Sequence, residues 1–362
     1  MKDDEYYMQA AIILARKGIG YVSPNPLVGA LIVKNGRVIG QGYHKRYGEN
    51  HAEVNAINNA AEDVAGATLY VTLEPCCHQG KTPRCTERIV KSKIRNVVIG
   101  SVDSNPLVSC RGIHFLQKRG IKVKTGVLEQ ECRRLNEVFF HYMETGMPFV
   151  TIKYAQTLDG RIAAASGQSQ WISSEASRKF AHKLRAEHDA VLIGTGTAIN
   201  DNPELTVRLV RGRNPLRVVV DSGLKTPLKA KILQNLTAVK TLIATVKSPG
   251  NPQYKLIEAS GAEVITIKKD GQGKVDLKKL FKTLALRGIS SVLVEGGAQI
   301  ITSTLKNNLA CRLVTIIAPK IIGKGIEAVE DLQIRDLNHA QKLSFQKIRR
   351  CGPDIIIDSR FR

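Results

Sequence analysis

The segment between His51 and Cys85 constrains the chemistry and fold of this 362-residue chain more than any other. It contains a His-x-Glu at residues 51–53, a short apolar stretch, and then a Pro-Cys pair that ends at Cys76. This order of residue types is the signature of zinc-dependent deaminases. A catalytic zinc takes three protein ligands, often thiolates and imidazoles, and keeps a fourth position for water. The motif therefore predicts a zinc site with His51, Cys76 and Cys85 as its ligands.

Glu53 is the predicted catalytic residue of this site. It stands two residues after His51, where the composition predicts the start of a helix. Zinc lowers the pKa of a bound water to about 7, and hydrolysis of an amine also needs a group that moves protons. We expect Glu53 to take the proton of the water and to pass it to the departing amine.

The cysteine spacing leaves an alternative open. Deaminases usually have two residues between their cysteines, whereas eight residues separate Cys76 from Cys85 here. Cys77 and His78 are therefore rival ligands, and His78 could complete a closed, purely structural zinc site. The turn-rich segment 79–84 could instead loop back and bring Cys85 to the metal. A structural site would not explain the His-x-Glu, so the catalytic reading is favoured.

Four segments of the first half resemble a known family. They are residues 23–29 (Ser-Pro-Asn-Pro-Leu-Val-Gly), 51–53, 72–76 (Thr-Leu-Glu-Pro-Cys) and 80–85 (Gly-Lys-Thr-Pro-Arg-Cys). Together they closely resemble the deaminase half of the bifunctional riboflavin-biosynthesis deaminase/reductase, in which the long cysteine spacing is the usual form. The resemblance implies that Asn25, in an Asn-Pro turn, contacts the substrate of the deaminase.

Length and composition bound the class of protein. A chain of this length suggests two or three domains, and no apolar run approaches the ~18 to 20 residues that a membrane span needs. Seven cysteines, an odd number, fit reduced thiols better than a disulfide framework. We expect a cytoplasmic protein with no membrane partner.

The formal net charge of +22 raises the question of partners. Such a charge is often a sign of nucleic-acid binding. A phosphorylated substrate together with a phosphorylated dinucleotide would also use positive charge, and much of it could be a solvated basic surface. Aromatic residues make up only 5% of the chain, so a stacking platform for single strands is poorly supplied. We expect no nucleic-acid partner.

A boundary at Met147-Pro148 divides the chain into two predicted domains, residues 1–146 and 147–362. The first half predicts a three-layer α/β domain with a mixed sheet, including a hairpin that turns at Asn35-Gly36. In it we expect a helix to start at Pro75-Cys76 and another to run over residues 129–144. The second half begins a new alternation of strands and helices, which predicts a second α/β domain.

The second half resembles the reductase half of the same bifunctional family. The resemblance rests on residues 150–155, 158–163, 167–173, 184–190, 194–197, 201–208 and 294–298. It implies a fold like that of dihydrofolate reductase and NADPH as the cofactor. The Gly296-Gly297 turn before a predicted helix fits this, because such turns let backbone N–H groups approach a phosphate. Without the family match, the single tryptophan, Trp171, could equally well pack in the core instead of contacting the cofactor.

The resemblance also assigns roles by position. It implies that the phosphoribosyl substrate is held by Lys153, Ser169, Arg185, Leu205, Arg208 and Glu295. It implies that the cofactor is contacted by Ala155, Trp171, Thr197, Asp201, Ser222, Gly296 and Gly297. Guanidinium groups suit a phosphate, since they bind it through two parallel hydrogen bonds.

The expected function is a two-step conversion of a small phosphoribosyl pyrimidine. The first half would hydrolyse the 2-amino group of 2,5-diamino-6-(5-phosphoribosylamino)pyrimidin-4-one with zinc. The second half would reduce the ribosyl chain with NADPH, giving 5-amino-6-(5-phosphoribitylamino)uracil, and we expect the protein to be a homo-oligomer. One alternative is a deaminase that edits tRNA or another polynucleotide and carries an appended binding domain. Another is a non-catalytic, zinc-stabilised interaction protein, which would not need Glu53.

Overall fold

A computed structural model describes residues 3–105 and 109–362 of the chain. The chain divides into two compact units, Met1–Gly146 and Met147–Arg362. Within the described ranges, no helix has the length and apolar character that a membrane span requires.

The first unit is built on a five-stranded sheet. Its strands are β1 (Gly29–Lys34), β2 (Arg37–Tyr43), β3 (Thr68–Leu73), β4 (Asn96–Ser101) and β5 (Lys122–Lys124). They lie in the order β2-β1-β3-β4-β5. β1 is antiparallel to both β2 and β3, whereas β3, β4 and β5 are parallel, so the predicted mixed sheet is confirmed. The predicted hairpin turn is also present, with positive φ at Asn35 and Gly36.

Helices cover both faces of this sheet. They are α1 (Asp4–Ala15), α2 (Ala52–Asn58), α3 (Cys85–Lys91), α4 (Arg111–Lys118), α5 (Glu129–Leu135) and α6 (Glu137–Thr145), with a 3₁₀ turn at Arg16–Gly18. Because side chains alternate along a strand, Ala30 and Ile32 of β1 join one core with α2, α3 and α4. Leu31 and Val33 join the other core with α1. The unit therefore has the three layers predicted.

Two helix predictions in this unit were wrong. No helix starts at Pro75-Cys76; the chain stays irregular until α3 begins at Cys85. The helix predicted over residues 129–144 is broken at Asn136, between α5 and α6. The buried side chain of Asn136 accepts the N–H of Leu27 at 2.7 Å and donates to its carbonyl at 2.9 Å. This pair of tertiary hydrogen bonds explains the break, since local propensity alone favours one helix.

The second unit contains a nine-stranded sheet and a two-stranded ribbon. The sheet strands are β6 (Phe149–Thr157), β8 (Ala190–Gly194), β9 (Leu216–Val220), β10 (Thr241–Thr245), β11 (Glu263–Thr266), β12 (Ser291–Val294), β13 (Arg312–Ala318), β15 (Leu343–Cys351) and β16 (Asp354–Phe361). The ribbon pairs β7 (Arg161–Ala164) with β14 (Gly325–Glu327). The order in the sheet is β11-β10-β9-β8-β12-β6-β13-β16-β15. All pairs from β11 to β13 are parallel, and β13-β16-β15 are antiparallel.

Helices again lie on both faces of the sheet. They are α7 (Glu175–Glu187), α8 (Thr195–Asn200), α9 (Pro252–Ala259), α10 (Leu277–Leu286) and α11 (Ala298–Lys306), with 3₁₀ turns at Lys231–Leu233 and Leu337–His339. Leu184 of α7 packs with Val191 and Ile193 of β8 in one core. Phe281 of α10 packs with Leu192 of β8 in the other. In such sheets, ligands bind at the carboxyl ends of the parallel strands.

His188 is buried just after α7 and is fully hydrogen-bonded. Its Nδ1–H donates to the carbonyl of Leu184 at 2.7 Å, and its Nε2 accepts the hydroxyl of Thr151 at 2.9 Å. Burial lowers the pKa of His188 to about 4. The ring is therefore held in its neutral form at neutral pH.

This burial predicts a loss of stability on mild acidification. The unfolded chain binds a proton near pH 6.5, but the folded state does so only near pH 4, so the free energy of unfolding falls as the pH falls between these values. The slope from one histidine approaches about 1.4 kcal/mol per pH unit. Thermal unfolding of the full chain at pH 7.5 and pH 5 should show a smaller pH dependence in His188→Gln than in the unchanged protein. His114→Gln, at an exposed position, is the control; an identical pH dependence in all three proteins would contradict this account.

Candidate active sites

Three predicted ligands converge in the first unit. The Nδ1 atom of His51 lies 3.5 Å from the sulfur of Cys76 and 3.3 Å from the sulfur of Cys85. The three ligand atoms all lie within 4.8 Å of one another. A tetrahedral zinc site with bonds of about 2.0 to 2.3 Å separates its ligand atoms by about 3.5 Å. One imidazole and two thiols at these distances fit zinc.

Secondary structure places each of the three ligands. His51 is the residue before the first turn of α2, Cys85 is the first residue of α3, and Cys76 lies in the irregular segment after β3. α2 packs so closely on β2 that a Cβ at Gly42 would lie 2.4 Å from the backbone nitrogen of Ala56. A glycine is therefore needed at residue 42 for α2 to hold His51 where it does.

The electrostatics of the cluster favour a thiolate on Cys76. Hydrogen bonds from the Cys85 thiol and from His51 lower the pKa of Cys76. Burial would lower the pKa of His51, but its hydrogen bond to Cys76 and the charge of Glu53 raise it. The backbone N–H of Cys85 also points to the sulfur of Cys76 at 3.5 Å. The thiolate is the form of cysteine that binds metals.

Glu53 is buried beside the cluster, in the first turn of α2. Only 3% of the residue is exposed, and its carboxyl interacts with the thiol of Cys85. Its Oε2 atom has no hydrogen-bond partner among the residues that the structure describes. Burial raises the pKa of Glu53 to about 7. A buried carboxyl with one unsatisfied oxygen next to three zinc-type ligands fits a metal-bound water as its partner.

The rival ligands do not join the cluster. Cys77 and His78 follow Cys76 directly, but the group of possible metal ligands contains neither of them. Thr82, in the insert between the two cysteines, instead contacts the cluster, with its hydroxyl 3.4 Å from Nε2 of His51. Metal-bound imidazoles usually hydrogen-bond through their second nitrogen, which fixes the ring.

His44, which belongs to no sequence motif, lies beside Asn25. Its Nε2 is 3.2 Å from Nδ2 of Asn25, and its ring meets that of His51 edge-on, with centroids 5.1 Å apart. His44 is buried, and burial lowers its pKa. Asn25 is thus placed in the same neighbourhood as the ligands. A lone histidine after a strand gave no signal of this by itself.

Glu74 was also not singled out as a functional residue. Its Oε2 accepts the backbone N–H groups of Asp103 and Cys110, and its Oε1 accepts those of Gly112 and Ile113. One buried carboxylate therefore holds the end of β4 and the start of α4 against the segment that carries Cys76.

A cavity of about 600 Å³ lies at the carboxyl ends of β6, β8 and β12 in the second unit. Twelve of the residues assigned by resemblance line it: Lys153, Ala155, Ser169, Trp171, Arg185, Thr197, Asp201, Leu205, Arg208, Glu295, Gly296 and Gly297. Ser222 is not among the lining residues. Ser222 lies in the segment that follows β9, and its hydroxyl accepts a hydrogen bond from the backbone N–H of Val275 at 3.0 Å. Asn25 belongs to the first unit.

A buried ion pair forms one wall of this cavity. Arg185 donates from Nε and Nη2 to the two carboxylate oxygens of Glu295, at 2.6 and 2.9 Å. Nζ of Lys153 lies 3.7 Å from the same carboxylate. Burial would raise the pKa of Glu295, but Arg185 and Lys153 lower it to about 2. Glu295 is therefore charged and neutralises part of the positive charge of the wall.

Trp171 is 59% exposed at the cavity, which excludes the core-packing alternative. Its carbonyl accepts Nζ of Lys320 at 2.7 Å, and the guanidinium of Arg178 lies 4.7 Å from its ring centre. Elsewhere in the cavity lining, the hydroxyl of Thr197 accepts the N–H of Gly297 at 2.9 Å. The tryptophan ring therefore offers an exposed aromatic surface in the same cavity as the glycine turn.

The segment 201–209 also lines the cavity. Asp201 accepts the hydroxyl of Ser169 at 3.1 Å, and Leu205 has a positive φ of 55°. The side chain of Arg208 is 48% exposed and lies 3.5 Å from Glu204. His182 of α7, to which no sequence motif points, also lines the cavity.

Comparisons with known proteins agree for both units. The family model of the cytidine and deoxycytidylate deaminase zinc-binding region matches residues 1–101, and that of the RibD C-terminal domain matches residues 148–357. The riboflavin biosynthesis protein RibD of Aquifex aeolicus is 44% identical over 355 residues, covering 98% of this chain and 97% of its own. RibD of Escherichia coli is 37% identical and covers 98% of both chains.

Solved structures give the same result. The deaminase/reductase of Thermotoga maritima is 37% identical and covers 99% of both chains, with a TM-score of 0.88. RibD of Acinetobacter baumannii is 35% identical with the same coverage and a TM-score of 0.90. The predicted fold class and the two expected cofactors, zinc and NADPH, are confirmed, and the editing-deaminase alternative is not favoured. The chain belongs to the RibD family and is a bifunctional deaminase and reductase of riboflavin biosynthesis.

Proposed function

We propose that residues 1–146 carry the deaminase and residues 147–362 carry the reductase. The first would hydrolyse the 2-amino group of 2,5-diamino-6-(5-phosphoribosylamino)pyrimidin-4-one, and the second would reduce the ribosyl chain of the product. The observation that carries this proposal is the cluster of His51, Cys76 and Cys85 beside buried Glu53, in a chain that resembles RibD over its whole length. Incubation with this ribotide, with and without NADPH, tests it through ammonia release and NADPH absorbance.

In the deaminase, each residue has a distinct proposed task. His51, Cys76 and Cys85 hold the zinc, which when bound supplies a Lewis acid and lowers the pKa of a water molecule. Glu53 accepts a proton through its unsatisfied Oε2 and returns it to the leaving amine. Asn25, next to His44, orients the pyrimidine ring by hydrogen bonding. Thr82 holds the ring of His51 in place.

In the reductase, the protein mainly positions its ligands. NADPH supplies a hydride, and the residues of the cavity orient the sugar carbon that receives it. We propose that Arg185 and Arg208 bind the phosphate and that Glu295 fixes Arg185 in place. The other substrate contacts proposed are Lys153, Ser169 and Leu205. The cofactor contacts proposed are Ala155, Trp171, Thr197, Asp201, Ser222, Gly296 and Gly297.

The partners proposed are the small-molecule ligands and further copies of the chain. The arginines that line the cavity would bind phosphorylated small molecules, which accounts for part of the positive charge of the chain. A nucleic-acid partner is therefore not needed to explain that part. We propose a cytoplasmic homo-oligomer.

Removal of one thiol ligand should separate the predicted site from its rival. Cys85→Ser should lose most of its zinc, because a serine hydroxyl is a poor zinc ligand. Cys77→Ser is the matched control and should keep one zinc per chain. Metal analysis of the purified proteins decides the outcome, and loss of zinc from Cys77→Ser with retention in Cys85→Ser would reverse the assignment.

Glu53→Gln should keep its zinc but lose deamination. The amide cannot exchange protons in the way that a carboxyl does, and general acid–base catalysis is worth ~10² to 10⁴-fold in rate. Ammonia release should fall by this factor, while reduction of the deaminated substrate in the same protein should stay unchanged. Near-normal ammonia release would remove Glu53 from the mechanism.

Arg208→Ala should raise the reductase KM about 10-fold or more, since hydrogen bonds to a charged group are strong. The control is Arg211→Ala, an exposed arginine that does not line the cavity. Steady-state NADPH oxidation at varied substrate concentration measures both. Equal KM values for the two variants would argue against a phosphate contact at Arg208.

A further inference from the structure

His182 is a buried residue of the reductase cavity to which the proposed function gives no role. It lies on α7, one turn before Arg185, and only 4% of its surface is exposed. Its ring lines the cavity together with Arg185 and Arg208. A histidine in this position has either a purely structural role or a role in binding a ligand. The hydrogen bonds of its two ring nitrogens distinguish these two roles.

Backbone donors fix the tautomer of His182. Its Nδ1 lies 3.0 Å from the backbone nitrogen of Arg208 and 3.4 Å from that of Leu209, and both N–H groups point to it. Backbone N–H groups are donors that cannot rotate away, so Nδ1 must accept. Burial and the charges of Arg185 and Arg208 lower the pKa of His182 to about 4. The ring is therefore neutral at neutral pH and carries its proton on Nε2.

This assignment leaves two donors facing each other. Nε2 of His182 lies 3.4 Å from Nη1 of Arg185. Nη1 already donates one hydrogen to the carbonyl of Thr206 at 3.2 Å, and its second hydrogen is directed at Nε2. A guanidinium has no acceptor. A ligand oxygen to one side of the line that joins these two nitrogens, about 2.9 Å from each, would accept a hydrogen bond from both and would satisfy two buried donors at once.

The surrounding charges favour an anionic oxygen at this point. Lys153, Arg185 and Arg208 are the cations near His182, and Glu295 and Glu204 are the carboxylates near this group. Glu295 already binds Arg185 through both oxygens, and Glu204 lies 45% exposed beside Arg208. The three cations outnumber the two carboxylates, so the net charge around His182 is positive. This net charge favours an anionic ligand over a neutral one.

We propose that the Nε2–H of His182 donates a hydrogen bond to the phosphate of the reductase substrate, and that it helps the enzyme to distinguish phosphorylated from non-phosphorylated sugars. This inference rests on the proposed function of the second unit. It makes His182 a specificity-determining residue for the substrate, alongside the two arginines.

Two substitutions separate this role from structural support. His182→Asn keeps an acceptor near the Nδ1 position, for the N–H of Arg208, but removes the Nε2–H donor. His182→Gln does the reverse and places an amide donor near the Nε2 position. The measured quantity is the ratio of kcat/KM for the ribosylaminouracil with its 5-phosphate to that for the same compound without it. Titration with ribose 5-phosphate and with ribose, without NADPH, gives the same comparison without turnover.

His182→Asn should raise the KM of the phosphorylated substrate about 10-fold, as expected for the loss of a hydrogen bond to a charged group. The kcat should change less than about twofold, since the hydrogen bond is made equally in the bound and reacting states. The non-phosphorylated substrate should be unaffected. His182→Gln should keep a ratio close to that of the unchanged enzyme, which preserves the test if His182→Asn does not fold.

Equal losses with both substrates in His182→Asn would overturn the proposal and assign a structural role. An unchanged KM in His182→Asn would also overturn it, provided that Arg208→Ala raises the KM. If Arg208→Ala leaves the KM unchanged, the phosphate contact proposed for Arg208 fails, whereas an unchanged protein that does not oxidise NADPH with this substrate contradicts the proposed function itself. In His182→Gln, loss of the preference for the phosphorylated substrate would equally reject the donor role.

Discussion

The removal of charged side chains from water is the constraint on which both sites depend. A buried charge is tolerated only when it is paired or hydrogen-bonded. Glu295 meets this requirement through Arg185 and Lys153, and this pairing builds one wall of the reductase cavity. Glu53 meets it only in part, because one of its oxygens has no partner among the described residues. The first carboxylate is thereby held as an ion-paired anion, and the second is the one to which we assign proton transfer.

The same side-chain chemistry serves different purposes according to its partners. Glu74, with four backbone donors, immobilises a segment next to Cys76. Its hydrogen bonds leave it no free oxygen for chemistry. In the second unit, Asp201 binds Ser169 at the rim of the cavity. Counting carboxylates in the sequence would not separate these roles, since only the hydrogen-bond partners distinguish them.

Motif residues could be predicted from the sequence, whereas their supporting contacts could not. His51, Glu53, Cys76 and Cys85 carry a pattern whose chemistry is specific, and the structure brings them together. His182 and His44 carry no pattern, because their roles arise from contacts between segments distant in sequence. The break at Asn136 was missed for the same reason, since its cause is a partner more than 100 positions away. Local propensity contains no information about such partners.

The hydrogen bonds between Asn136 and Leu27 have a consequence for how the first unit can be divided. Leu27 follows Asn25 by two residues, so the segment that carries Asn25 is held by a side chain near the end of the unit. The deaminase family model matches only residues 1–101 and stops well before Asn136. A fragment cut at residue 101 would contain every predicted zinc ligand and Glu53, but it would leave the backbone groups of Leu27 without these partners. The minimal unit that holds the segment of Asn25 in place is therefore longer than the minimal unit that contains the zinc-type ligands.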